Sequence, residues 1–436
     1  LRSNHFLDEV SSYIRSKEAK KYIEAELKAH LHQAKTELVK KGYTEDEAEE
    51  LAVRKMGSPA VIGQKMDKLH RPKIDWKLMS MFLFMSASGL FLFWFLFKNG
   101  HSFSVLKQVY SITGSVILAC VLLFFDYRKL QRWGWAFFTI GCLILVQFHY
   151  SNVLVNGSPR INIMGLFSVD SIVVLPLLLL AWAGMLQSKK MNVYLAAILY
   201  ICSAFLFMVT VNLQAVALYS LMVAVMVWKS GLNKRKILIT ATVLLTTCVS
   251  LLLISLKNIR AYQFERLFAF VTPEKFSETS GYIYLKLERL IEDAGWFGHF
   301  GSLGAFDFSN EMMTDFIFVT ITYTLGWTGA LFIGLLFLWM IWRISLIFRT
   351  VKDPFGKMLV SGSFAIFTAQ VTVSIGMSLG LLPIISVSLP FMSYGALSAM
   401  INAFLFGLVL SVYHKKDMIR MKGKYENMFC SSNSLF

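Results

Sequence analysis

Thr314-Asp315-Phe316 sets a carboxylate at the mouth of a long apolar run, Phe316 to Ile341. An ionised acid beside hydrocarbon is costly unless it meets water or a cavity, so it is a candidate for chemistry. Such a group can take a proton from an attacking hydroxyl, or hold a divalent cation (Mg²⁺ or Mn²⁺) that makes the hydroxyl more acidic. The same pair also suits a helix start, with Thr314 as the cap and Asp315 against the positive end of the dipole. Spacing alone leaves both readings open. The polar stretch just ahead, 257–313, mixes bases (Lys257, Arg260, Arg266, Lys275, Lys286, Arg289), acids (among them Glu265, Glu288, Asp293, Asp307 and Glu311) and aromatics. Arginines there can steady a phosphate. Neighbours such as Glu288 and Arg289 can equally be solvated ion pairs worth little. No Cys or His group has metal-ligand spacing, and no phosphate-binding loop is visible.

The elements that must position this acid are membrane helices. Apolar residues make up 56% of the chain and charged residues 16%, far from the balance of a soluble domain. They gather in blocks long enough to cross about 30 Å of hydrocarbon: 76–97, 106–125, 133–149, 169–186, 192–209, 212–228, 237–256, 314–342, 358–383 and 391–413. The expected fold is all-α, a polytopic membrane protein of about ten transmembrane helices after a small soluble helical domain. The net charge of +16 lies mainly in alternate short loops, such as Arg128 to Arg132, Lys189-Lys190, Lys229 to Lys236 and Arg343 to Lys357. This reads as an orientation signal rather than a nucleic-acid surface. It places both termini in the cytoplasm and the 257–313 loop outside. Arg160 and Lys98 are exceptions on the outer side.

Residues 1–75 are rich in Lys, Glu and Ala and predict short amphipathic helices: a cytoplasmic domain, with 414–436 as a cytoplasmic tail. Gly42 predicts a helix stop. Thr44 with Glu47 predicts a capping box, and Gly57-Ser58-Pro59 ends that helix. In the outer loop, 281–291 predicts an amphipathic helix, and Gly295 to Gly304 a tight non-helical connection.

From Lys257 onward the chain resembles the SEDS family, which includes RodA, FtsW and SpoVE. The resemblance rests on AYQFERLFAFVTPEKFSETSGY (Ala261 to Tyr282), GWFGHFGSLG (Gly295 to Gly304), TDFIF followed by Leu325-Gly326, and GMSLGLLPIISVSLPFMSYG (Gly376 to Gly395), in that order. It implies a peptidoglycan glycosyltransferase of the bacterial cytoplasmic membrane. Such an enzyme polymerises lipid II into undecaprenyl-linked glycan on the outer face, with a class B penicillin-binding protein as partner. It implies Asp315 as the catalytic carboxylate and sets Asp307, Arg266, Ser393 and Tyr394 in or near the substrate site; Arg260 and Arg289 are further candidate cations. Tyr394 also reads as an interface anchor. The His30 to Pro59 segment resembles a helical prefix domain found before some bacterial permeases, which suggests a cytoplasmic partner for 1–75.

The chain departs from the family pattern at several places. Tyr323 and Thr324 stand where two Glu are usual. GLFSVDSIVVLP (Gly165 to Pro176) lacks the usual Glu and Lys, with Asp170 nearby. Ser374 and Ala396 replace an Asn and a Gly. The alternatives are therefore a weakly active or inactive scaffold for the transpeptidase, or a lipid-linked substrate transporter. Transport would need polar groups through the spans, and these are scarce: Asn212, Gln214, Gln370 and Thr372.

Overall fold

The computed structural model describes the chain except residues 1, 16, 71, 99–103, 152, 156–157, 164–166, 189, 211, 244–267, 280, 300–309 and 417–436. It divides into two compact units. One is Leu1–Asp75 with Thr350–Asp353 and the described residues from Val412. The other is Trp76–Arg349 with Pro354–Ser411.

In the first unit, α1 (Arg2–Ser12), α2 (Lys17–Lys40), α3 (Glu45–Met56) and α4 (Pro59–His70) enclose a core of Phe6, Val10, Ile23, Leu27, Leu31 and Ala48. Gly42 and Gly57 have positive φ, as the two helix stops require. Thr44 and Glu47 form the capping box.

In the second unit, every expected span meets a helix. These are α5 (Trp76–Lys98), α6 (Val105–Phe124), α7 (Gly134–His149), α8 (Leu175–Met185), α9 (Val193–Val209) and α10 (Leu213–Lys229). Helical residues 234–243 are the described part of the seventh span. An amphipathic helix, α11 (Tyr282–Asp293), and a short α12 (Asn310–Thr314) precede α13 (Ile317–Thr350), α14 (Pro354–Ser378) and α15 (Ala396–Lys415). Five of these are long and apolar enough to cross a membrane. The protein is a multi-pass membrane protein.

Three expectations need correction. Residues 150–168, expected as a loop, contain a three-stranded antiparallel sheet: β1 (Val153–Val155), β2 (Ser158–Ile163) and β3 (Phe167–Val169). Short β-branched runs around an Asn-Gly pair favour such pairing. The fourth helix starts later than 169, at Leu175, after a 3₁₀ turn at Ser171–Val174. The last two spans are also shifted. Gly380 at φ 69° closes α14, Pro383 and Pro390 discourage helix, and 379–395 is irregular up to α15.

The eighth span is broken. A straight helix of 34 residues would be about 51 Å long, well beyond the hydrocarbon. At Gly326 the backbone leaves helical geometry (φ 74°, ψ −179°). The amides freed there are not wasted. Trp327 N–H donates to Gly295 O (3.1 Å), Thr328 N–H to Trp296 O (3.2 Å), and His299 N–H to Tyr323 O (3.1 Å). The glycine turn before the span thus docks into the break. Ahead of it, Ile317 to Thr324 are all buried, which is what non-helical backbone near membrane depth demands.

Contacts define two ends of this unit. At one, Tyr127 stacks on Phe355 (6.1 Å), and Lys229 and Lys357 both lie over the Phe348 ring (5.5 and 5.1 Å). Asp315 lies at the other. Between them Tyr219 ties three helices. Its hydroxyl accepts from Trp182 Nε1 (2.8 Å) and shares a 2.6 Å bond with Ser203 Oγ.

Gly326→Ala tests the break. A Cβ there would lie 2.3 Å from Trp296 O and sit on left-handed backbone, a cost of about 1–3 kcal/mol from the backbone alone. Gly334, on the same helix with open space around it, is the control. In detergent, Gly326→Ala should lower Tm while Gly334→Ala leaves it unchanged. Equal Tm for both would refute the packed break.

Candidate active site

The site is assembled from the two ends of the break-and-turn framework. Thr314 closes α12, and the Asp315 N–H donates to Glu311 O (2.9 Å). Phe316, not Thr314 or Asp315, takes the position just ahead of α13: its carbonyl accepts from Val319 and Thr320 (3.0 and 3.2 Å). The Asp315 side chain is therefore not spent on a helix cap. It is half-buried and bonded by the hydroxyls of Ser386 and Thr314. Ser386 is exposed, so the carboxylate lies next to open space, and it sits at φ 59°. A non-glycine residue in that region is held there by its surroundings.

Those surroundings are the irregular segment 379–395. The Tyr394 N–H donates to Met313 O at 2.9 Å, joining the segment to α12 two residues before Asp315. Gln108, buried on α6, holds the same segment with both ends of its amide. Nε2 donates to Ser393 O (3.4 Å) and Oε1 accepts from Gly395 N–H (3.3 Å). Tyr394 packs its ring against Phe93 (5.5 Å) and donates its hydroxyl to Ser104 O (3.4 Å). From the other side the Ile384 N–H donates to Tyr284 Oη on α11 (3.2 Å). Phe391, also at positive φ, is locked among Phe82, Phe367 and Phe406. The TDF and Gly376–Gly395 segments, far apart in sequence, are one structure here.

Burial pushes the Asp315 carboxyl up to about 6. The Glu311 charge pushes the same way, while the Ser386 and Thr314 hydroxyls and the Arg160 charge oppose. Asp170 is half-buried and raised by burial, with its bond to Ile172 N–H (3.0 Å) and the Arg160 charge opposing. Arg160 thus stands within electrostatic reach of both acids.

Of the residues expected from sequence, Asp315, Ser393 and Tyr394 are brought together. Ser393 is buried, and its hydroxyl has no partner among the described residues. Arg260, Arg266 and Asp307 lie outside the described residues. Arg289 is exposed on α11. Tyr323 and Thr324 are buried in the broken span, and the Thr324 hydroxyl bonds back to Thr320 O (2.8 Å). Sequence reasoning gives Gln108, Arg160 and Ser386 no part in the site. A lone amide in an apolar block and a cation against the orientation rule are the available signals. Among the described residues no three acidic, imidazole or thiol groups converge, and a guanidinium charge already reaches Asp315. Among the described residues an apolar groove of ≈500 Å³ lies elsewhere, between α9, α10 and 237–241.

Comparison with known proteins decides the family. A model of the FtsW/RodA/SpoVE cell cycle proteins matches residues 73–418. The chain belongs to this family. The peptidoglycan glycosyltransferase MrdB of Escherichia coli K12 is 25% identical over 322 residues, 72% of this chain and 86% of that one. Among solved structures, one from a peptidoglycan synthase complex matches with a TM-score of 0.67 at 21% identity, over 79% of this chain and 98% of that one. Thermus thermophilus RodA matches with a TM-score of 0.58 at 20% identity, over 79% and 97%.

The raised carboxyl has a consequence for stability. With its folded value at about 6 above the unfolded one, Asp315 binds more protons folded than unfolded. Its contribution is fully present below about pH 4 and lost as pH rises through about 6. The loss is at most about 3 kcal/mol. Asp315→Asn should therefore match or exceed wild-type Tm in detergent at about pH 8. A clearly lower Tm would show that ionised Asp315 is stabilising instead.

Proposed function

We propose that this SEDS-family protein is a peptidoglycan glycosyltransferase that polymerises lipid II, with Asp315 as general base. The observation that carries it is the meeting of the family's two signature segments at one accessible carboxylate, bonded by Ser386 and titrating at about 6. A base of that strength is mostly ionised at neutral pH yet still takes a proton effectively. The acceptor sugar hydroxyl attacks the anomeric carbon of the lipid-linked donor. Asp315 receives the hydroxyl proton, the new glycosidic bond forms, and the bond to the diphosphate breaks. The leaving lipid diphosphate carries the activation, so no nucleotide is needed. Ser386 and Thr314 orient the carboxylate, and the Gln108 and Tyr394 ties hold Ser386 in place.

In this reading the Asp315 end faces outward and both termini, with 1–75, face the cytoplasm. The alternating basic loops support that orientation. The likeness to a chain of a peptidoglycan synthase complex supports a partner, here a class B penicillin-binding protein. The scaffold reading draws on Tyr323 and Thr324, where the family's usual acids are missing.

Polymerisation of lipid II by the purified full chain separates the two. Asp315→Asn should lose roughly 10²-fold or more in rate while remaining folded. Wild-type activity should rise with pH through about 6. Ser386→Ala, which removes a bond favouring the ionised form, should move that limb to higher pH. A fully active Asp315→Asn removes the base; a wild type with no activity favours the scaffold.

A further inference from the structure

We propose that Arg160, on the central strand of the small outer sheet, is the cation that receives the diphosphate of the lipid-linked donor beside Asp315. The inference rests on the glycosyltransferase reading and names the group that binds its leaving group.

The sheet fixes the placement. β2 pairs with β3 through Ile161↔Val169, so the next step along the ladder brings Arg160 alongside Asp170. Asp170 is itself held by the Ile172 N–H at the start of the turn into α8. On its other strand neighbour, Arg160 is opposite Val153. The guanidinium charge is felt by Asp170 and by Asp315. It nevertheless forms no ion pair with either among the described residues, and its Nε is buried without an acceptor. A buried donor left unmet is costly. A cation near two acids that closes on neither leaves room for an anion of its own.

The ligand chemistry follows from the group. A guanidinium presents a planar fork that matches two phosphate oxygens at once, which an ammonium cannot do. Charge grows on the diphosphate as the bond to the sugar breaks, and a fixed cation there favours that change. Asp315 would lie on the acceptor side of the reacting carbon and Arg160 on the leaving side. The orientation rule supports a specific reason for this residue. Arg is disfavoured in short outer loops, and Arg160 is the basic residue of 150–168.

The test uses the full chain in nanodiscs with undecaprenyl diphosphate and undecaprenyl monophosphate as probes. Wild type should prefer the diphosphate. Arg160→Ala should weaken diphosphate binding about ten-fold, nearly erase the preference over monophosphate, and raise KM for lipid II. Arg160→Lys should recover part of the affinity but not the preference, and it stands in if the alanine variant misfolds. Asp315→Asn, which removes a negative charge near the guanidinium, should bind the diphosphate at least as tightly as wild type. An unchanged di- over monophosphate preference in the Arg160 variants overturns the proposal. An active Asp315→Asn would instead overturn the general base and leave the Arg160 result readable.

Discussion

Backbone groups that leave a helix inside a membrane protein must find partners in the protein, because hydrocarbon offers none. Two such places organise this structure. At Gly326 the turn Gly295–His299 supplies the partners, and neither Gly298 nor Gly326 could carry a side chain without meeting the other's backbone. In 379–395 the partners come from Met313, Gln108 and Tyr284. The bonds that satisfy the second stretch also hold the Ser386 segment against α12, two residues before the point where Asp315 stands. Structural necessity and site geometry are the same set of contacts.

The electrostatics of that point are balanced rather than extreme. Burial raises Asp315, and two hydroxyls and a guanidinium charge hold the rise to about 6. A deeper site would leave the acid protonated at neutral pH; an open one would make it a weaker base. The absence of the Glu pair that the resemblance leads one to expect is easier to understand in this light. Positions 323 and 324 pack within the broken helix, and the Asp315 carboxylate takes its bonds from other segments.

Much of the fold was legible because its signals are long. Blocks of apolar residues name spans, and basic loops alternate between them. The capping box of α3 and the stops at Gly42 and Gly57 were local rules obeyed locally. What escaped were features decided by distant partners. The eighth span reads as continuous because Gly326 looks like any glycine in a membrane helix; only the docked turn makes it a break. Thr314-Asp315 reads as a cap because the sequence cannot show α12 ending at Thr314. Gln108 and Arg160 each carry a single weak signal, while the loop residues Arg260, Arg266 and Asp307 fall outside the described structure. Motif resemblance points to Asp315, Ser393 and Tyr394 but not to Ser386, which meets Asp315 across about seventy positions of chain.

The break in α13 divides one continuous stretch of sequence into two regimes of inheritance. Before Gly326, every residue from Ile317 to Thr324 is enclosed by protein, so volume and shape are constrained at each position. After it, Leu331, Leu335, Leu338 and Trp342 are exposed and answer only to greasiness. Over generations the first half can drift little, whereas the outward face of the second can trade one oily side chain for another almost freely, and Ile333, Phe337 and Met340 on its inner face stay packed.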